Sequence, residues 1–386
     1  MHQPTRYIRV GRVIDGSGAP VRRNILLEIR DRRIRSLTSL PADPISISHD
    51  IPLEDLSHCT LVPALIDCSV SLLQSPALNF LSNSSSLLEG ESQKKILERH
   101  LSYCFSHGIL GLVVTEKNQF VQTEQRKEGK KGEGATGITL RTAHNSPDAD
   151  SLRIQYSPDI EEEAESFHQL SLEDLSHALK QRGNKKAIVV ANGPQQVTEA
   201  IEAGCDAIEQ GYGMGQENMQ RMADKGMLWI PSVVRAKNAL DSSSSGGSVC
   251  CRFSTRYVAP GKPIPGAEAF WKKVLADQLD QLALARELGV QIAVGTGAGS
   301  RGILHGESLV EEIKLFIKAG YSLEESLRCA SKNGADFFGM DQLGQLAVGK
   351  KANFLLSRGT VGQLPRKLAY LEGIYIDGQP SPAYRK

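Results

Sequence analysis

The feature that most constrains this chain is a series of eight short apolar runs spread through its middle. The runs are rich in Val, Ile and Leu, do not alternate with polar residues, and are separated in several places by segments with helical spacing. Such runs are typical of parallel strands buried on both faces. Eight strand–helix units in succession predict an α/β fold of the TIM (β/α)8 barrel type. The runs lie at 61–67, 108–114, 137–143, 151–156, 186–191, 205–210, 227–234 and 290–296.

Both ends of the chain have a different texture, which predicts antiparallel β structure. Near the start, YIRVGRVI and NILLEI read as strands on either side of a Gly-rich turn at 15–18, and a third strand follows a turn at 31–33. Near the end, Asp377-Gly378 marks another tight turn between strand-like segments. We therefore expect residues 1–60 and 345–386 to form one discontinuous β-sandwich domain around a barrel at 61–344.

Several helices carry recognisable end signals. The segment SLEDLSHALKQRG opens with Ser171 and has Asp174 three residues on. Ser322 with Glu325 forms a capping-box pattern for a helix that we expect to end at Gly334. Three polar or low-complexity stretches predict loops, at 82–86, 119–134 and 241–248.

Composition excludes several classes of function. The 386 residues are 40% hydrophobic and 5% aromatic, and the formal net charge is +1. Neither a nucleic-acid-binding surface nor attraction to an anionic membrane follows from that balance. No apolar run is long enough to span a bilayer, no secretory leader is recognisable, and the seven cysteines contain no CxxC, so we expect a reduced, cytoplasmic setting.

Longer stretches of the sequence resemble the metal-dependent amidohydrolase superfamily, in particular its imidazolonepropionase-like and prolidase-like members. LVPALIDCSVSL resembles the family's first barrel strand, PGxIDxHxHL, and VVANG resembles a VHANG-like motif on strand five. IEQG and GTGAGS resemble the family's IEHG and GTDAGS on strands six and eight, and LGQLAVGKKANFLL resembles the return to the sandwich. The resemblance implies the barrel, the sandwich and hydrolysis of C–N bonds other than peptide bonds.

In that family the ends of the barrel strands hold one or two divalent metals, typically zinc, through imidazoles, carboxylates and often a carboxylated lysine. The metal lowers the pKa of bound water and polarises the scissile carbonyl. Each matching position differs in this chain. They are Ser69 and Ser71 on strand one, Arg153 on strand four, Val190 on strand five, Gln210 on strand six and Gly297 on strand eight.

These side chains offer no adequate set of metal ligands, and a guanidinium at Arg153 would repel a cation. We therefore predict no metal and no other cofactor. The six positions, with His305 in the loop after strand eight, form the candidate ligand-binding site, and no catalytic residue is assigned. Because a buried guanidinium needs an anionic partner, Arg153 predicts either a small anionic ligand or an ion pair with an acid elsewhere in the chain.

Four residues have a purely structural interpretation as well as a functional one. His305 is a substrate contact or a packed loop histidine, and Cys68 is a nucleophile or, from strand alternation, a core residue pointing away from Ser69. His144 lies on the catalytic side of the barrel but is read as a loop residue. Glu209, next to Gln210, is expected to face outward or to pair with a cation.

Three functions remain open. The chain is a non-catalytic small-molecule-binding or regulatory pseudoenzyme, a working hydrolase with an atypical or metal-free site, or an inactive structural subunit of a homologous complex. A homo-oligomer is compatible with each of them.

Overall fold

The computed structural model describes residues 5–40, 53–76, 90–125, 137–159, 170–243 and 265–384. Within these ranges the chain alternates strands and helices between two β-rich ends. The strands are β1 (Arg6–Val13), β2 (Arg22–Arg30), β3 (Arg33–Ser39), β4 (Leu53–Pro63), β5 (Leu65–Val70), β6 (Ile109–Val114), β7 (Thr139–Thr142), β8 (Leu152–Gln155), β9 (Ala187–Ala191), β10 (Ala207–Gln210), β11 (Leu228–Ile230), β12 (Gln291–Ile292), β13 (Phe354–Arg358), β14 (Gly373–Ile376) and β15 (Gln379–Pro380). The helices are α1 (Gly90–Ser106), α2 (Gln119–Gln125), α3 (Leu172–Lys180), α4 (Pro194–Glu202), α5 (Gln216–Asp224), α6 (Val233–Ser243), α7 (Ala267–Leu288), α8 (Glu307–Lys318), α9 (Leu323–Cys329), α10 (Lys332–Phe337) and α11 (Leu364–Lys367).

The middle of the chain contains two parallel sheets, so the predicted α/β class is confirmed. One sheet has the order β5-β6-β7 and the other β12-β11-β10-β9-β8. Every residue of β5, β6, β9, β10 and β11 is buried. This is the burial expected of strands covered on both faces, and it explains why these runs do not alternate.

Hydrogen bonds join the two parallel sheets at both pairs of facing edges. On one side, Cys68 N–H donates to Val294 O at 2.9 Å and Gly297 N–H donates to Ser69 O at 2.8 Å. On the other side, Ala143 and Ser151 form a parallel bridge. The carboxyl ends of strands from the two sheets are thereby brought to a common end.

The two ends of the chain combine in a single seven-stranded sheet of order β15-β14-β13-β4-β1-β2-β3. Its centre is β4, which pairs in parallel with β1 and antiparallel with β13. A separate core lies on this sheet and includes the stacked rings of Phe354 and Tyr375, with centroids 4.6 Å apart. The predicted boundary at residue 60 falls inside β4, which runs on to Pro63 before β5 begins at Leu65.

Several local predictions need correction. The first apolar run is divided between β4 and β5, and the run at 227–234 is strand only as far as Ile230, because α6 begins at Val233. The stretch predicted as a loop from residue 119 starts with α2. The capping box at Ser322 is present, but the helix that it opens ends at Cys329, and Gly334 lies inside the separate helix α10. The break falls at Ser331, whose φ of −145° is not helical.

Two predicted loops lie wholly or mostly outside the described residues. These are 82–86 and 241–248, of which 241–243 belong to α6. Among the described helices, none is both long and apolar enough to cross a membrane.

Candidate functional site

A polar cavity of about 240 Å³ lies where the parallel strands end. Its walls come from the ends of β5, β6, β8 and β10, from the start of α6, and from the segment after β12. Four of the seven predicted site residues line it, which are Ser69, Ser71, Arg153 and Gly297. The other lining residues are Gln74, Thr115, Glu116, Gln155, Asp159, Glu209, Arg235, Ala298 and Ser300.

The guanidinium of Arg153 is held by the carboxylate of Glu209. Arg153 Nε donates to Glu209 Oε2 at 2.6 Å and Nη2 donates to Oε1 at 3.0 Å. Ser69 Oγ donates to the same Oε1 at 2.7 Å. The predicted pairing of Glu209 with a cation is confirmed, whereas its outward orientation is wrong. Glu209 is paired regularly with Val190 and Ile230 within the strand, and the irregular residue is Gln210, whose φ of +70° takes it out of the period-two alternation.

Gln210 belongs to a second, adjoining network centred on Asp159. Its Nε2 donates to Asp159 Oδ1, and its Oε1 accepts from Asn192 Nδ2 at 2.7 Å. Arg235 Nη2 donates to the other oxygen of Asp159 at 2.9 Å. Gln210 therefore orients the acid of the second ion pair, although its own side chain is fully buried and is not part of the cavity wall.

The electrostatics of the two acid–base pairs follow from burial and from their partners. Burial raises the pKa of Asp159, but the charge and hydrogen bond of Arg235, with smaller contributions from Gln210 and Arg153, outweigh it and hold that pKa below its usual range. Burial lowers the pKa of Arg153, and Glu209 more than reverses this. Arg153 and Asp159 are therefore charged at neutral pH.

Arg235 reaches the cavity along a path that Gly297 leaves open. A β-carbon built on Gly297 would lie 3.2 Å from Arg235 Cδ, and the φ of Gly297 is +70°. The helix that carries Arg235 begins on a buried acid, because Glu312 accepts the N–H groups of Val233 and Val234 at 2.9 and 2.6 Å. Burial raises the pKa of Glu312 to about 8.

Glu116 is the third acid of the cavity wall and has a different environment. Its Oε1 accepts the backbone N–H groups of Leu72 and Leu73 at 2.6 and 3.0 Å, which fixes the segment that follows β5. Burial raises the pKa of Glu116 to about 7, against the effect of those two N–H groups and of the Ser71 hydroxyl. No Lys or Arg of the described ranges forms a salt bridge with it.

His305 lies behind this segment rather than in the cavity wall. Its Nε2–H donates to Ser71 O at 2.7 Å, and its ring stacks on that of His100 at 3.8 Å. His100 Nδ1–H in turn donates to Leu72 O at 2.7 Å. Burial, with the neighbouring His100, lowers the pKa of His305 to about 3, so that both rings are neutral and support the backbone.

The remaining predicted residues contribute no exposed group to the cavity. Val190 is fully buried in β9 and its carbonyl accepts from Tyr156 and Ser157. Cys68 is a buried thiol that packs toward Gly334 of α10, as strand alternation predicted. His144 is buried just after β7. Within the part of the chain that the structure describes, no three His, Cys, Asp or Glu side chains come together in a way that could hold a metal ion.

Sequence reasoning did not find Asp159, Arg235 or Glu116. Asp159 follows β8 by four residues, Arg235 follows β11 by five, and Glu116 follows β6 by two. Their common signal is a charged residue shortly after a buried strand, at the end of the sheet where binding residues collect.

Comparison with solved structures shows the same fold across almost the whole chain. A Xaa-Pro dipeptidase with bound methionine in its active site matches with a TM-score of 0.77 at 20% identity, over 98% of this chain and 100% of that one. An ochratoxinase of A. niger matches with a TM-score of 0.75 at 16% identity, over 98% and 96%. A putative prolidase from Bifidobacterium longum matches with a TM-score of 0.75 at 17% identity, over 99% and 96%.

Curated relatives match over a shorter stretch. Uncharacterized proteins of Mycobacterium bovis and Mycobacterium tuberculosis are each 28% identical over 130 residues, which is 34% of this chain. The matched stretch spans only 30% of the length of those relatives.

A model of the amidohydrolase family matches residues 152–375, which is more than half of the chain. The match begins at β8 and ends in β14, so that it includes Arg153, Asp159, Glu209, Arg235 and Gly297 of the cavity wall. This chain therefore belongs to the amidohydrolase family.

Proposed function

We propose that this protein is a non-catalytic member of the amidohydrolase family that binds a small polar molecule in the cavity at the strand ends. The observation that carries the proposal is the ion pair of Arg153 with Glu209, in which a guanidinium lies in the wall of the cavity. A permanently charged group that only donates hydrogen bonds can bind and orient a ligand, but it cannot supply a metal-bound water.

The proposal includes the architecture. We infer that the two parallel sheets are one eight-stranded TIM barrel, closed by the hydrogen bonds of Cys68 and Gly297 on one side and by the Ala143–Ser151 bridge on the other. The seven-stranded sheet of the chain ends is then the sandwich domain, expected at residues 1–60 and 345–386, with its strand β4 continuing to Pro63. The cavity lies at the mouth of this barrel, where binding sites of the fold are found.

The donor set of the cavity does not fit a divalent metal. Among the described residues of its wall, the carboxylates are Glu116, Asp159 and Glu209, and the last two are already neutralised by Arg235 and Arg153. A divalent cation would have to displace a guanidinium from each of them and would remain close to both positive charges. The Oε1 atom of Glu116 already accepts hydrogen bonds from the backbone N–H groups of Leu72 and Leu73.

The side chains that remain are suited to recognition. The cavity wall combines the hydroxyls of Ser69, Ser71, Thr115 and Ser300 with the amides of Gln74 and Gln155 and with the two ion pairs. Such a wall satisfies a small polar molecule by hydrogen bonds, which favours the binding or regulatory function over an inactive structural subunit.

The test is an assay for C–N hydrolysis, in the presence and absence of added Zn²⁺ or Mn²⁺, together with elemental analysis of the purified chain. We expect no stoichiometric metal and no hydrolysis above the level of a Glu209→Gln preparation from the same host. Activity that is equal in both preparations is contamination. Metal-dependent hydrolysis that is present in the wild type and lost in Glu209→Gln would overturn the proposal.

A further inference from the structure

The guanidinium of Arg153 has hydrogen-bonding capacity beyond its ion pair. It carries five N–H groups, and Glu209 accepts two of them, one from Nε and one from Nη2. The other three have no protein acceptor within the described ranges. The side chain lines the cavity and is 19% exposed. One edge of the guanidinium is therefore used by the protein, and the other edge is available to a ligand.

An edge of this kind selects a particular ligand geometry. Two parallel N–H groups of a guanidinium match the two oxygens of a carboxylate or phosphate. The hydroxyl of Ser300 lines the same cavity and adds a neutral hydrogen-bonding group to its wall. At about 240 Å³ the cavity has the volume of roughly eight waters, which is enough for a carboxylate with a short side chain.

The charge balance of the cavity decides between a singly and a doubly charged anion. The two guanidiniums, Arg153 and Arg235, are offset by Glu209 and Asp159, and Glu116 is the one acid of the described wall without a cationic partner. With Glu116 ionised, an anionic ligand would add to an excess of negative charge. With Glu116 protonated, one negative charge on the ligand is tolerated and two are not.

The other titratable groups around Glu116 do not change this balance. His100 and His305 contact the carbonyls of Leu72 and Ser71 as neutral donors. Lys117, the next residue in the chain, pairs with Asp148 at 3.3 Å and is 60% exposed.

We propose that the cavity binds a small monocarboxylate, whose two oxygens accept from the free edge of Arg153, and that Glu116 takes up one proton as the ligand binds. This inference rests on the proposed function, since it names the class of molecule that the same cavity takes. The pKa of Glu116, raised by burial to about 7, places this proton uptake within the neutral range.

The experiment is isothermal titration calorimetry with three probes, which are propionate, its neutral isostere propionamide, and inorganic phosphate. We expect propionate to bind more tightly than either of the others. Because the protonated fraction of a group with a pKa of about 7 falls about tenfold between about pH 6 and about pH 8, we expect the propionate affinity to fall by the same factor. Titrations at about pH 8 in buffers with different ionisation heats should show close to one proton bound with each ligand.

Two variants separate the roles of the residues. Arg153→Lys keeps the charge beside Glu209 but removes the fork, so propionate affinity should fall at least tenfold. Glu116→Gln should bind propionate with an affinity that no longer depends on pH. Arg182→Lys is the matched control, because Arg182 pairs with Asp206 outside the cavity and its replacement should leave binding unchanged.

Equal binding of propionamide and propionate would overturn the inference, and so would an unchanged affinity in Arg153→Lys. Wild-type binding without proton uptake would overturn it even if a variant failed to fold. These outcomes differ from the failure of the proposed function, which is metal-dependent hydrolysis. If the chain is inactive and binds propionamide as tightly as propionate, the proposed function stands, and the inference that the ligand is a monocarboxylate fails.

Discussion

The side chain of Arg235 passes Gly297 so closely that a β-carbon at this glycine would lie 3.2 Å from Arg235 Cδ. In the family motif that GTGAGS resembles, position 297 carries an aspartate. Here the backbone of Gly297 is left-handed, with φ of +70°, and the side chain of Arg235 occupies the space beside it. A carboxylate restored at this position alone would meet a cation in its path.

Gly297→Ala should therefore lower the free energy of unfolding for two separate reasons. A left-handed residue with a β-carbon costs about 1 to 2 kcal/mol, and the contact with Arg235 should add about 1 kcal/mol or more. Urea denaturation measures the sum. Gly183→Ala is the control, since Gly183 has φ of +63° and open space around it. Equal losses in the two variants would show that the contact with Arg235 carries no energy.

The ion pair of Arg153 and Glu209 should be important for stability. Glu209 is 4% exposed, and Glu209→Gln leaves the guanidinium without its counter-charge, so we expect a loss of about 2 to 3 kcal/mol in unfolding free energy. The double variant Arg153→Met/Glu209→Gln should lose less than the sum of the two single variants. The exposed pair of Arg221 and Glu217 provides the control, in which Glu217→Gln should cost clearly less than Glu209→Gln. Strict additivity in the cavity cycle would argue against coupling.

Stability should fall as the pH rises from about 6.5 to about 8.5. Burial raises the pKa of Asp67 and Glu116 to about 7 and that of Glu312 to about 8, so in this window the folded chain holds protons that the unfolded chain has released. Each of these carboxyls then contributes a negative slope of up to about 1.4 kcal/mol per pH unit. Below this window the lowered pKa values of His100 and His305 act in the opposite direction.

Urea denaturation at a series of pH values measures the slope, and Glu312→Gln should flatten it. A stability that rises between about pH 6.5 and 8.5 would contradict the assignment of these buried acids.

Gly334→Ala should destabilise the chain although Gly334 lies inside a helix. Helix propensity alone favours alanine over glycine by about 1 kcal/mol. A β-carbon here would lie 2.5 Å from Cys68 Sγ, however, and we expect overpacking to cost about 1 to 3 kcal/mol. The double variant Cys68→Ala/Gly334→Ala removes the contact and should recover part of the loss relative to Gly334→Ala. If the single variant is more stable than the wild type, the packing of α10 on β5 is looser than described.

The sequence was informative wherever burial alone dictates structure. The unalternating runs predicted parallel strands because these strands are covered on both faces, and alternation along β5 correctly separated Ser69 and Ser71 from Cys68. Capping chemistry correctly located the helix starts at Ser171 and Ser322, since side chains there satisfy backbone N–H groups locally.

The candidate site was harder to predict because its members depend on backbone that departs from regular strands. Glu209 lines the cavity from a regular position of β10, whereas the next residue, Gln210, is left-handed, and no period-two pattern contains such a residue. Arg235 was missed because the strand was expected to continue to residue 234, whereas α6 begins at Val233. The sequence predicts that Arg153 pairs either with an anionic ligand or with an acid of the chain. Only proximity in the folded structure identifies Glu209 as that acid.

The central position of β4 in the end sheet has a consequence for the order of events during synthesis. Pro63 of β4 pairs with Phe354 of β13, far along the chain, so one edge of β4 stays open until β13 has left the ribosome. At typical elongation rates the interval between the two strands is about 15 to 60 s. For that time the edge of β4 that later pairs with β13 is an open strand edge, which is the kind of surface that makes a nascent chain prone to aggregation.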